Sequence, residues 1–487
     1  MKNYIYLIAV ALLMVGCSSE NEPSTLNPQP SALNYINLAI SVNGGVNSSS
    51  RAVPAGGEDG DGREAGFERE NAITGITLIL YEDAVGINSN DNPSIKFVAY
   101  YPVSRVTKDA DTRIEATYET GNQLVPHNTL DFTKTYHAIV VANANLTSTI
   151  TTSSKLNDVR NLTLANIYSG DAAKPANSCG GFVMSSEQDN TLNFAASGVR
   201  TQDAAGDYYY DLSSQILVIE RMAARIDFWA KNSNGYKTSA ENAAYTIPGY
   251  EYNVTGSTDK FVVTGIVPFN IVNGHATYGN EYIIKRIRTD ISDAETTSYL
   301  ADETTTNYVM DPQTTAKTGS DGLTSSLESV YDLIGDGSKL ENTTYNPYFH
   351  SIESMRVTNG MSTIETKENV VVAYPMENTL NTTSMLYYYA TGIAVVGYYY
   401  VNGTGTGTRY VYLGYLRHQG EAESYDIMPY TTPLETTATL GANPMRFGIV
   451  RNNIYRVWIG SIDQKGEMEL KIKVKKWDPY THDFIYM

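Results

Sequence analysis

Cysteine is almost absent from this sequence, which has only Cys17 and Cys179 in 487 residues. A framework of disulfides is therefore excluded, and the fold must be stabilised by packing. Cys179 lies in "NSCGGFVMSSE", where nothing resembles the surroundings of a catalytic nucleophile, so a small buried thiol is expected there.

Catalytic and nucleotide-binding signatures are also missing. The sequence contains no GxGxxG, GxxxxGK[ST], HExxH, CxxC or GxSxG pattern. A pair of glycosidase carboxylates cannot be recognised without knowing their separation. The acidic segment Gly56–Glu70 does not match the spacing of a twelve-residue calcium loop. We therefore predict a protein that is not an enzyme and holds no cofactor or metal.

Positive charge is in deficit, with 35 Lys and Arg against 53 Asp and Glu and a formal net charge of −18. Sequence-independent binding to nucleic-acid phosphates or to an anionic membrane surface needs the opposite balance. We expect no nucleic-acid partner.

Long hydrophobic runs are lacking as well, since the apolar run Tyr4–Val15 is too short to span a bilayer. It follows a lysine and ends in Gly16-Cys17, which predicts a signal peptide over residues 1–16. Glycine before cysteine at this point resembles the lipobox of bacterial lipoproteins, which implies cleavage between Gly16 and Cys17 and acylation of Cys17. The alternative is an ordinary secretory signal with a chance cysteine.

What the sequence does contain is strand-forming composition. Tyrosine occurs 38 times, against 11 phenylalanines and 3 tryptophans, and Thr, Asn, Ser and Gly are abundant. This mixture favours strands and turns. Strand-like runs recur between turn clusters, at Gly75–Glu82, Ser94–Val103, Thr112–Glu119, Tyr136–Asn145, Ile216–Lys231, Lys260–Asn273, Asn369–Tyr374, Leu386–Val401, Arg409–Leu416 and Asn453–Ile462.

These runs predict an all-β chain of two β-sandwich domains. Helical periodicity occurs at Ser153–Tyr168 and Ser325–Ile334, where short helices are expected as insertions in loops. The turn-rich stretch after Ile216–Lys231 places the domain boundary near residue 232. The domains would then span 52–232 and 233–487, preceded by a propeptide over 17–51.

Two tyrosine clusters, Tyr387–Tyr389 and Tyr398–Tyr400, admit two interpretations. Exposed tyrosine rings could form a platform on which sugar rings stack. Alternation along a strand buries some of them in any case, so a core or an interface is the favoured interpretation.

The first and last strands of the chain share one pattern. Apolar residues alternate with small polar residues in the first, at Ile36, Leu38, Ile40 and Val42. They alternate with charged residues in the last, at Met468, Leu470, Ile472 and Val474. A groove that accepts one strand could accept the other, because every second side chain enters a pocket and the main chain supplies the hydrogen bonds.

Several segments, in the same order over nearly the whole chain, resemble the fimbrillins of Bacteroidetes, with the minor fimbrillin of Porphyromonas most similar in pattern. These segments are "YHAIVVANAN", "VIERMAARIDF", "VVAYPMENT" and "VRNNIYRVWIGSI" followed by a last alternating strand and "KKWDPY". The resemblance implies two transthyretin-like β-sandwiches, a lipoprotein precursor and a shaft subunit of a type V pilus. It also implies maturation by an arginine-specific protease after the first strand.

Arg51-Ala52 in "SSSRAVPAGG" matches the position of the family's cleavage site, although Arg63 and Arg69 lie in the same region. Removal of the first strand would let the C-terminal strand of another subunit enter, which gives a head-to-tail filament. The implied partners are identical subunits, anchor and tip fimbrillins, the protease, and host or bacterial surface receptors. The implied location is a cell-surface fimbria, reached through an outer-membrane lipoprotein precursor, with a role in adhesion or biofilm formation. The alternatives are a tip or accessory fimbrillin and a monomeric glycan-binding lipoprotein.

Overall fold

The computed structural model describes residues 32–42, 63–65, 68–82, 91–110, 113–126, 129–164, 181–186, 190–238, 248–269, 281–288, 308–310, 350–351, 369–378, 391–418, 425–429, 448–464 and 467–478. Strands dominate these residues, as the composition predicts. No helix in the described ranges is long and apolar enough to cross a membrane.

Fifteen of the strands precede residue 222. They are β1 (Asn34–Asn37), β2 (Ala39–Val42), β3 (Arg63–Ala65), β4 (Gly75–Tyr81), β5 (Ile95–Pro102), β6 (Ser104–Ala110), β7 (Arg113–Glu119), β8 (Gln123–Val125), β9 (Thr135–Ala142), β10 (Thr163–Leu164), β11 (Met184–Ser186), β12 (Asn190–Asn193), β13 (Arg200–Gln202), β14 (Tyr208–Asp211) and β15 (Leu217–Arg221). A 3-10 helix spans Glu68–Asn71 and one short α-helix, α1, spans Leu156–Arg160.

The remaining strands begin at residue 225. They are β16 (Arg225–Trp229), β17 (Tyr236–Lys237), β18 (Gly249–Asn253), β19 (Lys260–Phe269), β20 (Glu281–Tyr282), β21 (Arg286–Arg288), β22 (Tyr308–Met310), β23 (His350–Ser351), β24 (Asn369–Ala373), β25 (Gly392–Tyr400), β26 (Thr408–His418), β27 (Tyr425–Pro429), β28 (Asn453–Ile462) and β29 (Met468–Asp478). A 3-10 helix spans Val401–Gly403.

The N-terminal half is built on two sheets that share the first strand of the chain. A nine-stranded sheet has the order β5-β4-β9-β11-β15-β2-β7-β6, with β12 beside β9, and a four-stranded sheet has the order β13-β14-β1-β8. Apolar side chains from both sheets form one buried core. The chain segment 34–42 therefore lies in both layers, with β1 in one sheet and β2 in the other.

A twelve-stranded sheet dominates the C-terminal half, in the order β17-β18-β19-β25-β26-β27-β29-β28-β16-β24, with β23 beside β19 and β3 beside β29. The sheet must curl over itself, because Phe228 of β16 and Tyr250 of β18 lie 6.4 Å apart between ring centroids although several strands separate them in the sheet. Their side chains belong to a second core.

Most of the predicted strands are confirmed in the described ranges, with two corrections. The run Ile216–Lys231 is not one strand but two, β15 and β16, which belong to different sheets. Between them, Met222, Ala223 and Ala224 are fully buried. Because both faces of this segment are covered, periodicity gave no sign of the break.

The second correction concerns the end of the run Tyr136–Asn145, because β9 ends at Ala142. Asn143 has a φ of 60°, in the left-handed region that asparagine tolerates better than most residues. Its side chain donates to the main-chain oxygens of Ala72 and Phe182, at 2.8 and 2.7 Å. These bonds fix a turn that strand periodicity does not reveal.

Of the two predicted helices, α1 lies within Ser153–Tyr168 and is short, whereas Ser325–Ile334 lies outside the described residues. The sheet partners change between Arg221 and Arg225. The two halves are also joined, because β10 pairs with β20 and β3 pairs with β29.

Candidate functional site

The first strand of the chain lies in a groove between two walls. One wall is β14 followed by β15, and both pair with it in parallel. The other wall is β7 followed by β8, and both pair with it in an antiparallel arrangement. Residues 34–42 are thus hydrogen-bonded on both edges, and we call the space they occupy the strand groove.

The alternating apolar residues of this strand all point into the core. Ile36, Leu38 and Ile40 have no exposed surface, and Val42 is 1% exposed. Of the intervening side chains, those of Asn37 and Ser41 are half-buried, whereas the small side chain of Ala39 is also fully buried. The predicted orientation of the first strand is therefore confirmed, and the sequence pattern sufficed to find it.

The crossover between the two sheets occurs at Leu38, which lies between β1 and β2. Its main-chain N donates to Thr120 Oγ1 at 3.0 Å, and its main-chain O accepts from the N of Thr120 at 3.1 Å. Leu38 thus keeps both of its main-chain hydrogen bonds although it belongs to neither strand. This arrangement fixes the register of both half-strands at once.

Polar groups of the β14 wall bind the N-terminal half of the strand. Asp207 accepts from the main-chain N of Leu33 at 2.8 Å. Asp211 accepts from Nδ2 of Asn37 at 3.2 Å. The strand groove therefore presents carboxylates on its outer face and apolar pockets on its inner face.

The two other candidate cleavage arginines lie in ordered elements. Arg63 is the first residue of β3, which pairs in parallel with β29 at Lys476–Asp478. Arg69 lies in the 3-10 helix Glu68–Asn71 and precedes Glu70, which is 1% exposed. Gly16, Cys17, Arg51, Ala52 and Cys179 lie outside the described residues, as do Tyr387–Tyr389.

The last strand, β29, is part of a hairpin rather than a detached segment. It pairs with β28 from Met468 to Lys476, and its other edge contacts β27 and β3. Ile472 is 6% exposed and belongs to the second core, against which Met468 and Leu470 pack. Val474 pairs with Tyr455 along the backbone.

Three of the segments that carry the fimbrillin resemblance, 218–228, 371–379 and 450–462, supply charged or polar residues to buried clusters at the junction of the two halves, which the sequence did not predict. Arg225 contacts Asp227 at 2.7 Å and Glu70 at 3.1 Å, and all three are at most 3% exposed at their side chains. Tyr374 also donates to Glu70. Burial alone would lower the pKa of Arg225, but the charges of Asp227 and Glu70 outweigh it and raise that pKa above its ordinary value.

A second buried cluster adjoins the first. Arg451 contacts Glu377 at 2.9 Å and Glu281 at 3.1 Å, and none of the three has exposed side-chain surface. Lys285 contacts Glu220 at 3.5 Å, and both are nearly buried. Buried charges are tolerated when they are paired, and these clusters pair charges from segments that lie far apart in the sequence. The sequence did carry one signal for these clusters, which is the presence of charged residues within strand runs that are otherwise apolar.

Two of the three tyrosines of β25, Tyr399 and Tyr400, are buried residues rather than parts of an exposed platform. Tyr400 is 1% exposed and Tyr399 is 8% exposed. The hydroxyl of Tyr399 donates to Asp259 at 2.6 Å. Burial and this hydrogen bond raise the pKa of Tyr399 to about 12. The core interpretation is therefore confirmed for Tyr399 and Tyr400, whereas Tyr398 is half-buried.

Among the residues that the structure describes, no group of three or more His, Cys, Asp or Glu side chains is arranged to hold a metal ion. The part of the acidic segment 56–70 that is described consists of β3 and the start of the 3-10 helix, and its other residues lie outside the described ranges.

The chain is structurally similar to fimbrial and cell adhesion proteins of Bacteroidetes. One is a candidate cell adhesion protein from Parabacteroides distasonis, with a TM-score of 0.42 and 12% identity over 91% of this chain and 97% of that chain. Another is the tip fimbrial protein Mfa3 from Porphyromonas gingivalis with a C-terminal truncation, with a TM-score of 0.37 and 10% identity over 91% of this chain and all of that chain (100%). A third, a candidate cell adhesion protein from Bacteroides eggerthii, has a TM-score of 0.33 and 12% identity over 92% of this chain and 97% of that chain. No family model matches the sequence, and no curated protein matches it.

Proposed function

We propose that this chain is a structural subunit of a cell-surface fimbria that polymerises by strand exchange after proteolysis. The observation that carries the proposal is the position of residues 34–42, which form an inner strand in each of two sheets. Removal of a segment that is paired on both edges and buries Ile36, Leu38, Ile40 and Val42 would leave an acceptor lined by apolar pockets. The sequence resemblance to fimbrillins supports the same interpretation.

The energetics favour a filled groove. Each of the apolar side chains Ile36, Leu38, Ile40 and Val42 contributes about 1.5 to 3 kcal/mol when fully buried. If the groove were empty, the main-chain N–H and C=O groups along the facing edges of β7 and β15 would be unpaired, which is unfavourable. A cleaved subunit therefore gains strongly from taking up a strand of another subunit.

Cleavage is proposed at Arg51-Ala52, because the two competing arginines lie within secondary structure. Proteases cleave segments whose backbone is accessible and not held by hydrogen bonds. Arg63 is a poor site by this criterion, because β3 pairs with β29. Cleavage after Arg69 would place a charged α-amino group on Glu70, whose side chain is buried among Arg225 and Tyr374. An arginine-specific protease is the expected enzyme.

The donor is proposed to lie within Met468–Met487. Donation of Met468, Leu470, Ile472 and Val474 requires β29 to leave β28, since the two strands pair along their length. Donation of Tyr480–Met487 would leave β29 in place. Either segment extends from the opposite end of the chain, so the contact is head-to-tail and gives a filament. A subunit that donates a C-terminal segment acts as a shaft subunit, so the proposal favours a shaft role over a tip role.

The precursor is proposed to be an outer-membrane lipoprotein acylated at Cys17, which provides the membrane address before assembly. Other fimbrillins and surface receptors are the proposed partners. N-terminal sequencing of filaments sheared from cells tests the maturation step, with Ala52 as the expected first residue. Arg51→Ala should yield monomers, whereas Arg63→Ala should still assemble. Filaments whose subunits begin at Cys17 would contradict strand removal.

A further inference from the structure

Both walls of the strand groove are tied to one short segment, Glu70–Asn71, which we call the strap. Tyr118 of β7 donates from its hydroxyl to the main-chain O of Asn71 at 2.6 Å. Arg221 at the end of β15 donates from Nε to the main-chain O of Glu70 at 3.1 Å. Its Nη2 also donates to Asn71 Oδ1. All four residues are buried, at 4% exposure or less.

The strap lies at the Val42 end of the groove. Tyr118 pairs with Ile40, and Ile219, two residues before Arg221, pairs with Val42. The strap thus connects the two walls where the strand ends, and it does so without using any atom of residues 34–42. It also lies after Arg51, so proteolysis there leaves it in the mature chain.

The strap is itself anchored from the other side. Glu70 contacts Arg225 at 3.1 Å and accepts from Tyr374, and Arg221 donates to Oδ1 of Asn452 at 2.9 Å. These partners belong to the junction with the C-terminal half. The strap is therefore held from several directions and can resist a sideways movement of either wall.

Departure of the first strand divides the nine-stranded sheet. Without β2, one piece is β5-β4-β9-β11-β15 and the other is β7-β6. The facing edges then carry unpaired N–H and C=O groups, which favour closure of one edge on the other. A closed groove could not accept a new strand.

We propose that the strap keeps β7 and β15 one strand apart, so that the groove stays open between departure of the first strand and arrival of its replacement. Tyr118 is then a positioning residue for strand exchange. This inference rests on the proposed function, because only a chain that loses its first strand has an empty groove to preserve.

The test uses the chain from residue 18 with a site for a sequence-specific protease inserted after Arg51, so that cleavage does not depend on the natural enzyme. Cleaved protein is incubated with an excess of a fluorescent peptide of residues 33–42, and uptake is followed by fluorescence anisotropy. Tyr118→Phe removes only the hydroxyl that reaches Asn71. Tyr136→Phe is the matched control, because its hydroxyl accepts from the main-chain N of Asp131 at 2.9 Å and does not contact the groove.

We expect Tyr118→Phe to take up the peptide about tenfold less well than the wild type, as expected for one lost buried hydrogen bond. Tyr136→Phe should take it up normally. Hydrogen exchange of residues 104–125 gives the second readout: it should be faster in the cleaved Tyr118→Phe protein than in cleaved wild type. In the uncleaved proteins it should be equal, because the first strand then holds both walls.

Equal uptake and equal hydrogen exchange in cleaved wild type and cleaved Tyr118→Phe would overturn the proposal that the strap keeps the groove open. Faster exchange in uncleaved Tyr118→Phe as well would also overturn it, since the hydroxyl would then serve general stability. If cleaved wild type neither releases its first strand nor takes up the peptide, strand exchange itself fails, and the strap's role fails with it.

Discussion

Tyr35 and Tyr209 stack across the boundary between the first strand and the wall of its groove. Their ring centroids lie 4.9 Å apart and their planes are inclined by 9°. The two residues are also register partners in the parallel pair of β1 and β14. The contact therefore joins a residue of the proposed propeptide to a residue of the proposed mature subunit, and the proposed maturation would remove it.

The stack should contribute to how tightly the first strand is held. Tyr35→Ala is expected to lower the free energy of unfolding of the uncleaved chain by about 0.5 to 1.5 kcal/mol beyond the loss of buried area. Tyr35→Phe keeps the ring and is the control. Urea unfolding measures both, and an equal loss for the two variants would assign the effect to the hydroxyl instead.

A negative charge should destabilise the fold on one face of β2 and be tolerated on the other. Ile40→Asp buries an unpaired carboxylate at a position without exposed surface and should prevent folding of the N-terminal half or cost more than about 3 kcal/mol. Ser41 is half-buried on the other face, so Ser41→Asp should leave the fold intact. Circular dichroism and protease resistance of the purified variants show whether each is folded. A natively folded Ile40→Asp protein would contradict the buried orientation of Ile40.

The donor can be located by truncation. Removal of Tyr480–Met487 leaves β29 and its hairpin with β28 complete, so the truncated chain should melt like the full chain. If the tail is the donor, cleaved truncated subunits remain monomeric by size-exclusion chromatography.

If filaments still form from the truncated chain, β29 is the proposed donor that remains. In that case Ile472→Asp should block assembly, and Lys471→Asp, whose side chain is 49% exposed, should not. Because Ile472 belongs to the second core, circular dichroism must show that each variant is folded before its assembly is interpreted.

The buried charge cluster at the junction should be sensitive to loss of one member. Glu70→Gln leaves Arg225 with less negative charge around it in a site that excludes water, and we expect a loss of about 3 kcal/mol in the free energy of unfolding. Glu82→Gln is the control, because its partner Lys134 is largely exposed, and it should change stability little. Denaturant unfolding of both variants makes the comparison.

Stability should fall at high pH as tyrosines ionise. The pKa of Tyr399 is about 12 in the folded chain and about 10 in the unfolded chain, so the folded state keeps its proton longer. A raised pKa gives stability that is present in full below about pH 10 and is lost as pH rises toward about 12. Tyrosinate absorbance followed during alkaline titration should show late, cooperative ionisation, and Tyr399→Phe should make the loss of stability in this range smaller.

Much of the fold followed from patterns within single segments. The alternation of Ile36, Leu38, Ile40 and Val42 predicts one buried face, because side chains of a strand point to opposite sides in turn. The strands β4, β5 and β28 were found as strand-like runs between turn clusters, and β4 is buried at every position. The break at Met222–Ala224 was not, because a segment covered on all sides has no periodicity to display.

The sequence by itself determined which face of the first strand is buried and that the chain is built from strands, since both depend on local order of apolar and polar residues. Only the tertiary structure decided that β1 and β2 join different sheets and that β29 already has a partner. It also decided that Glu70, Arg225 and Tyr374, separated by up to about three hundred residues, form one buried cluster. Pairing between distant strands depends on which edges meet when the whole chain packs, and this information is not contained in any one segment.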